Sequence, residues 1–218
     1  MLQGLSLKKL VTFLMNISQL FQSFAIELQH TTALEFIGVV FGISCVFFSR
    51  KENILVYPIG MVSTTIYIYL YLKHGLYADA SVNFYYTVMS IAGWIMWSRK
   101  KNGGEALSIS ASSKKEWVIT LSFFVICYVI LFIVLKKFTD STVPQADALT
   151  SAAAFTGMWL MNKKKLENWH WWILTNIVSI PLNYYKGLAF TSFQYVVLLW
   201  LAITGLIEWK KKLQHATY

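Results

Sequence analysis

The chain has 218 residues, of which 56% are hydrophobic, 17% aromatic and only 13% charged. This composition is typical of a polytopic membrane protein and excludes an ordinary soluble domain. The formal net charge of +9 could indicate a nucleic-acid partner, but the lysines and arginines occur in short runs between apolar stretches, as residues that flank membrane spans do. We therefore expect a lipid bilayer around the chain and no nucleic acid.

The N-terminal segment, residues 1–30, carries a polar stripe rather than an uninterrupted apolar run. Between Lys8 and Leu28, polar residues recur every three or four positions and apolar residues occupy the opposite side. This periodicity predicts an amphipathic helix in the plane of the membrane interface. A spanning helix packed on the bundle is the alternative. Because no small-residue cleavage site follows, we expect no cleavable signal.

Seven apolar runs follow, each near the length needed to cross a bilayer. We expect each run to be a helix, because backbone groups in hydrocarbon must be paired within the chain. The runs are Leu34–Ser49, Ile54–Leu72, Ala80–Trp97, Trp117–Leu135, Ala148–Met161, His170–Tyr185 and Thr191–Trp209. The predicted fold class is therefore an all-α integral membrane protein with seven transmembrane helices.

The distribution of basic residues predicts the orientation of the chain. With seven crossings, most of the 19 lysines and arginines lie on one side of the membrane. Basic residues accumulate in cytoplasmic loops, so this side is predicted to be the cytoplasm. The C-terminus is then cytoplasmic, and the residues near Glu35 lie outside.

The chain aligns with itself without a gap at an offset of 112 residues. Under this offset Gly93 meets Gly205, and Trp97 meets Trp209. The other matched pairs are Lys51 with Lys163, Tyr57 with Trp169, and Glu35 with Asp147. Glycines, aromatic residues and boundary charges that coincide in one register indicate a true internal repeat.

Each repeat contains three helices, and one further helix lies between the repeats. Equivalent helices of the two repeats are therefore four membrane crossings apart, which is an even number. Both halves then point the same way, as in transporters in which one half moves against the other around a central site. We predict a 3+1+3 parallel pseudo-repeat, with repeats at 34–101 and 147–213 and a linker helix at 117–137. A seven-helix receptor or scaffold without transport is the alternative for this number of helices. The glycine- and serine-containing loop Lys100–Lys115 is predicted to be a flexible linker.

Polar residues within the spans recur at spacings of three and four, which places them on single helical faces. The faces are Gly60, Thr64, Tyr67 and Tyr71 on the second span, Asn83, Tyr86, Ser90, Trp94 and Trp97 on the third, and Trp172, Asn176, Ser179 and Asn183 on the sixth. Such faces meeting at the repeat axis would line one aromatic, uncharged pocket. The predicted substrate-binding residues are Trp172, Asn176, Asn183, Asn83, Trp94, Thr64 and Tyr67.

Asn176 is the strongest of these candidates, because an amide in hydrocarbon needs a partner or a cavity. Serine and threonine in membrane helices usually bond to backbone or to a neighbouring helix instead. The remaining tryptophans of the span ends are interpreted as residues of the interfacial aromatic belt. They are Trp97, Trp169, Trp171 and Trp209.

Catalytic and metal-binding chemistry finds little support in the residues. No pair of histidines has metal-ligand spacing, and no phosphate-binding loop of the G-x-x-x-x-G-K type occurs. The acids Glu35, Asp79 and Asp147 lie near span ends, so none is placed to act in the middle of the membrane. We therefore predict no enzyme, metal or cofactor, and a carrier that is not coupled to an ion gradient.

Several motifs resemble the signature of the PnuC family of bacterial vitamin transporters. They are Glu167-Asn168-Trp169 followed by Trp172-x-x-x-Asn176, Tyr77-Ala78-Asp79 after the second span, and Gly93-Trp94 with Trp97 closing the third. The resemblance covers roughly Leu34–Lys212. It implies facilitated diffusion of nicotinamide riboside across the bacterial inner membrane, and trapping by a separate cytoplasmic kinase. It also implies a fold akin to SWEET sugar transporters, a homotrimer, and substrate contacts from Trp172 and Asn176.

One departure from the family pattern leaves the vitamin open. Some nicotinamide riboside carriers have glutamine where this chain has Asn83, and relatives carry thiamine or riboflavin instead. Nicotinamide riboside and thiamine both contain a planar cationic ring, which an aromatic pocket attracts by about 0.5–2 kcal/mol per good face. The leading expectation is a nicotinamide riboside uniporter, with a thiamine transporter as the alternative.

Overall fold

The computed structural model describes residues 32–99 and 107–215, together with Gln22, Ala25, Ile26, Leu28 and Gln29. The predicted amphipathic helix and the expectation about a signal segment lie almost entirely outside these residues. The described part is helical, and its helices are α1 Ala33–Arg50, α2 Val56–Lys73, α3 Tyr77–Ser98, α4 Lys114–Phe138, α5 Pro144–Asn162, α6 Asn168–Tyr185 and α7 Ala189–His215.

The predicted all-α fold is confirmed, because every predicted apolar run coincides with one of these helices to within a few residues. Three helices, α1, α4 and α7, are long and apolar enough to cross a membrane by length and composition alone. In α2, α3, α5 and α6 the mean hydropathy is lowered by the Tyr, Ser, Thr and Asn residues that they carry.

Local sequence explains where the helices begin and turn. The Thr32 hydroxyl accepts a hydrogen bond from the backbone N–H of Glu35, and the Glu35 carboxylate accepts one from the backbone N–H of Thr32 at 2.7 Å, so a capping box starts α1. Gly75 and Gly187 end the turns after α2 and α6 with φ of 73° and 79°, a left-handed conformation that side chains disfavour.

Six of the described helices pack into a closed ring. α2 packs between α1 and α3, and α6 packs between α5 and α7. Two further contacts, α1 with α7 and α3 with α5, join these groups, while α4 packs on the outside of α5. The helices α2 and α6 therefore lie on opposite sides of the ring. At each of the two contacts that join the groups, the first helix of one group packs against the third helix of the other.

One end of the ring is filled by the aromatic side chains of Tyr57, Trp97, Trp169 and Trp209, and we call it the tryptophan end. Trp97 Nε1 donates to the carbonyl of Asn162 at 3.1 Å. Trp209 is 0% exposed, and its Nε1 donates to the carbonyls of Ser49 and Arg50 at 3.2 Å. These indoles therefore bond to the ends of helices of the opposite group.

The interpretation of these tryptophans as interfacial belt residues is wrong. Trp97, Trp169 and Trp209 are buried in one core cluster, and Trp171 is buried against Phe124 of α4 with ring centroids 4.8 Å apart. A tryptophan at the end of a span can face the lipid interface or the protein core. The choice depends on whether a neighbouring helix covers it, and the hydropathy pattern of a single span does not contain this information.

The predicted flexible linker is also corrected for residues 107–113. The backbone N–H of Ser110 donates to the carbonyl of Lys164 at 3.1 Å, and the N–H of Leu166 donates to the carbonyl of Ser110 at 2.9 Å. The Glu167 carboxylate accepts from the backbone N–H of Ser112 at 2.8 Å and from its hydroxyl at 2.7 Å. These bonds hold the segment against the turn between α5 and α6.

Two glycines permit the close packing at the tryptophan end. A Cβ added to Gly93 would overlap the Tyr57 ring, and one added to Gly205 would lie 2.5 Å from the Trp169 ring. Any side chain at either position must therefore displace a fully buried aromatic ring.

We predict that Gly93→Ala and Gly205→Ala each destabilise the protein by about 1–3 kcal/mol through overpacking, despite the higher helix propensity of alanine. The measurement is the thermal unfolding midpoint of the purified protein in detergent. Gly42→Ala is the matched control, because the added Cβ would lie 3.3 Å from its nearest neighbour, the Ser63 hydroxyl, and would overlap no aromatic ring. Equal midpoints for the three variants would contradict the packing described here.

Candidate functional site

The polar faces predicted on the second and sixth spans lie on α2 and α6, the two helices on opposite sides of the ring. The most informative residue on them is Asn176, which is only 4% exposed. Its amide makes no hydrogen bond within the described part of the chain. The amide nitrogen and oxygen are nevertheless not fully enclosed. A buried amide that keeps slight access to space but has no partner is unusual and suits a ligand.

Trp172 lies one helical turn before Asn176, so the two side chains share a face of α6. The indole packs against α5, since a Cβ added to Gly157 would lie 3.2 Å from it. Trp172 is partly buried against the core cluster at the tryptophan end and retains some accessible surface. The site therefore offers an aromatic ring and a free amide side by side.

A group of tyrosines extends this region on the other helices. Tyr67 and Tyr71 of α2 stack with centroids 5.7 Å apart. Tyr195 of α7 lies in the neighbourhood of both, of Tyr86 of α3 and of the Ser179 hydroxyl of α6. The main ring neighbours of α7 are α6 and α1. Because α7 borders α6 and α1, the proximity of Tyr195 to side chains of α2 and α3 indicates the inner side of the ring, and we include Tyr195 in the candidate site.

Sequence reasoning missed Tyr195. A usable signal existed, because the offset of the repeat pairs Tyr195 with Asn83. The apolar surroundings of Tyr195 in α7 concealed it, since its neighbours form no polar stripe.

Other predicted site residues have partners of their own. The hydroxyls of Thr64 and Thr87 lie 2.7 Å apart, and the Asn83 amide donates to the carbonyl of Asp79 at 3.0 Å. The Asn183 amide donates to the carbonyl of Ser179 at 2.8 Å. Such bonds within and between helices are the ordinary use of polar residues in membranes.

Trp94 is separated from the rest of the predicted set. It is 42% exposed on α3, so its indole faces the surroundings of the helix ring. The structure thus brings together Trp172 and Asn176 on α6, places Tyr67 in the tyrosine group, and leaves Trp94 outside.

Acidic residues mark the end of the ring opposite the tryptophan end, where α1, α3 and α5 begin; we call it the acidic end. Asp147 accepts hydrogen bonds from the Ser141 hydroxyl and from Lys186 Nζ, both at 2.6 Å. Asp79 interacts electrostatically with Asp147 and Lys186 but forms no ion pair within the described ranges. Among the described residues, no group of three or more His, Cys, Asp or Glu side chains could hold a metal ion.

Known proteins resemble the chain over most of its length. A family model described as "Nicotinamide mononucleotide transporter" matches residues 32–211. The nicotinamide riboside transporter PnuC of Escherichia coli (strain K12) is 23% identical over 206 residues, covering 81% of this chain and 84% of that protein. The riboflavin/roseoflavin transporter RibM of Streptomyces davaonensis is 22% identical over 191 residues, covering 86% and 89%.

A solved structure has the same fold. The crystal structure of the vitamin B3 transporter PnuC superposes with a TM-score of 0.69 at 24% identity, covering 97% of this chain and 94% of that chain. The resemblance found in the motifs is therefore confirmed. The protein belongs to the nicotinamide mononucleotide transporter family and is a PnuC-family vitamin transporter, an integral membrane protein and not an enzyme.

Proposed function

We propose that the protein carries nicotinamide riboside across the bacterial inner membrane by facilitated diffusion, with Trp172 and Asn176 as the main substrate contacts. The observation that carries this proposal is the buried, unpartnered amide of Asn176 one turn from an accessible indole. The indole stacks on the cationic nicotinamide ring, and the amide bonds to its carboxamide. Tyr67 and Tyr195 add aromatic surface from the facing helices.

The charges near the pathway favour the riboside over the mononucleotide. The polar faces of α2 and α6 contain no lysine or arginine that could pair with a phosphate. At the acidic end, Asp79 forms no ion pair among the described residues, so its carboxylate is available to attract a cation. A relative named for riboside transport supports the same choice.

Riboflavin is the second candidate substrate, because a relative of similar identity is a riboflavin/roseoflavin transporter. Thiamine stays an alternative from the motif resemblance alone, since its thiazolium ring suits the same aromatic site. A titration of purified protein against nicotinamide riboside, nicotinamide mononucleotide, riboflavin and thiamine separates the four. Tightest binding of any of the other three would overturn the proposed substrate.

We also propose the 3+1+3 parallel, SWEET-like arrangement for the architecture, with repeats at 34–101 and 147–213 and a linker helix at 117–137. Several pairs of residues related by the offset support it. Gly75 and Gly187 share a positive φ, as do Glu52 and Lys164. Gly93 and Gly205 both receive an aromatic ring from the preceding helix. All seven helices then cross the membrane.

The remaining parts of the proposal concern the cell. Basic residues cluster at the tryptophan end, so this end and the C-terminus are assigned to the cytoplasm and the acidic end to the outside. Family resemblance supports a homotrimer and a separate cytoplasmic kinase that traps the substrate by phosphorylation. No cofactor is invoked.

Substitution of the two main contacts tests the site. We expect Trp172→Ala to weaken nicotinamide riboside binding by about 1–3 kcal/mol, which is roughly 5- to 150-fold, because it removes the stacking surface. Asn176→Leu should weaken it to a similar extent, because the carboxamide loses its hydrogen bond. Isothermal titration calorimetry gives the dissociation constants.

Two further variants make this test specific. Trp172 also packs on the core, so Trp172→Phe, which keeps an aromatic ring, should bind more tightly than Trp172→Ala at similar stability. Trp200→Ala is the control, because Trp200 is 60% exposed on α7. Parental affinity in both Trp172→Ala and Asn176→Leu would show that the site is elsewhere.

Transport should need no ion gradient, because no acid of the sequence lies in the middle of a predicted span. We expect uptake of nicotinamide riboside into proteoliposomes to stop at equilibrium and to be insensitive to collapse of pH or sodium gradients. Accumulation above the external concentration, in the absence of a trapping enzyme, would contradict uniport.

A further inference from the structure

The turns after α1 and α5 meet at the tryptophan end. Glu52 lies in the first turn and Lys164 in the second, and Lys164 Nζ lies 2.7 Å from Glu52 Oε1. These residues are separated by 112 positions, which is the offset of the repeat. Ser49 and Met161 have the same separation of 112, and the Ser49 hydroxyl lies 3.2 Å from the Met161 sulfur.

In each of these two pairs, a residue of one half contacts the equivalent residue of the other half, and this places both pairs near the axis that relates the halves. Under a two-fold relation, a residue can touch its own equivalent only where it lies close to the axis. In a ring of two equivalent halves, this axis runs through the centre, which is where the proposed pathway runs. The two contacts therefore cross the centre of the ring at its tryptophan end.

The electrostatics of the ion pair favour closure. Glu52 accepts a second bond from Lys212 Nζ at 3.0 Å, and Lys164 Nζ lies 4.4 Å from the centroid of the Trp97 ring. Burial by itself raises the pKa of Glu52, but Lys164 and Lys212 more than offset this and hold the pKa below its ordinary value. Glu52 is therefore charged at neutral pH, and separating the pair would leave Lys164, which is buried, without its counter-ion.

The backbone at this pair is strained. Glu52 and Lys164 have φ of 60° and 50°, a left-handed conformation that a residue with a side chain disfavours. Strain of this kind persists only where surrounding contacts enforce it, and it is common in segments that switch between conformations. Here the same strained position occurs in both halves, and the two positions are in contact.

We propose that the Glu52–Lys164 pair, with Ser49 and Met161 beside it, is the gate that closes the substrate pathway at the tryptophan end. The gate opens when the two halves separate and the ion pair breaks, and it closes when the pair forms again. Lys212 supports the closed state by holding the Glu52 carboxylate from α7. This inference rests on the proposed function in two respects, namely that the two halves form the proposed repeat and that the centre of the ring is the pathway.

Accessibility of a thiol introduced at the axis tests the gate. Ser49 is 3% exposed, so Ser49→Cys in a Cys45→Ala, Cys127→Ala background should react slowly with a water-soluble maleimide in purified, detergent-solubilised protein. Adding Glu52→Gln should raise the reaction rate about tenfold or more, because it removes the charge that holds the halves together. Solubilised protein presents both ends to the reagent, so membrane orientation does not matter.

Two matched variants accompany the test. Glu116→Gln removes another ion pair at the tryptophan end, with Lys165 at 2.8 Å, but this pair joins α4 to the turn after α5 and does not cross the ring. Glutamine also preserves the capping box that starts α4. With Glu116→Gln, the labelling rate at position 49 should stay within twofold of that of the Ser49→Cys parent. Exchanging the charges, Glu52→Lys with Lys164→Glu in a Lys212→Gln background, should restore slow labelling.

General loosening must be separated from gate opening. Thr156 is 0% exposed within α5, so Thr156→Cys in the same background reports unfolding. A labelling rate that rises at position 49 but not at position 156 supports the gate. An unchanged rate at position 49, or a parallel rise at both positions, overturns it.

These outcomes are independent of the vitamin. If Glu52→Gln opens the tryptophan end but the protein binds none of the tested vitamins, the gate stands and the proposed substrate fails. If nicotinamide riboside is transported and labelling at position 49 does not change, the gate alone is refuted.

Discussion

The ring of helices depends on a reciprocal set of indole–carbonyl hydrogen bonds. Trp97 donates to the end of α5, and Trp209 donates to the end of α1. Each bond satisfies a carbonyl that a helix end leaves unpaired, and each joins one half of the ring to the other. At the same end, Gly93 and Gly205 let the aromatic rings of Tyr57 and Trp169 on the preceding helices approach the backbone. Small residues at two positions thus allow four large ones to be buried together.

Polar groups in hydrocarbon must be paired, and this requirement distinguishes the candidate site from the rest of the helix ring. Hydroxyl and amide side chains along the helices mostly bond to a carbonyl one turn away or to a neighbouring helix, as Thr87, Asn83 and Asn183 do. Against this background, the unpartnered amide of Asn176 is an exception that costs free energy unless a ligand or water restores the lost bond.

The helices and the identity of the main candidate residues could be predicted from the sequence, because both depend on local periodicity. The span pattern located each helix, and the spacing of Trp172 and Asn176 placed them on one face. The burial of Trp209 and the outward position of Trp94 could not be predicted. Each depends on which neighbour a helix face meets, and this is a property of the ring rather than of any single helix.

The ion pair between Glu52 and Lys164 has a consequence for the origin of the two halves of the proposed repeat. If the two halves were identical in sequence, each residue at this contact would face a copy of itself. Glu52 would then face glutamate, or Lys164 would face lysine, and like charges 2.7 Å apart repel each other. An ancestor assembled from two copies of one three-helix unit could not have formed this contact. Gene duplication followed by divergence at a single position would provide it, so an end closed by opposite charges requires two halves that no longer share one sequence.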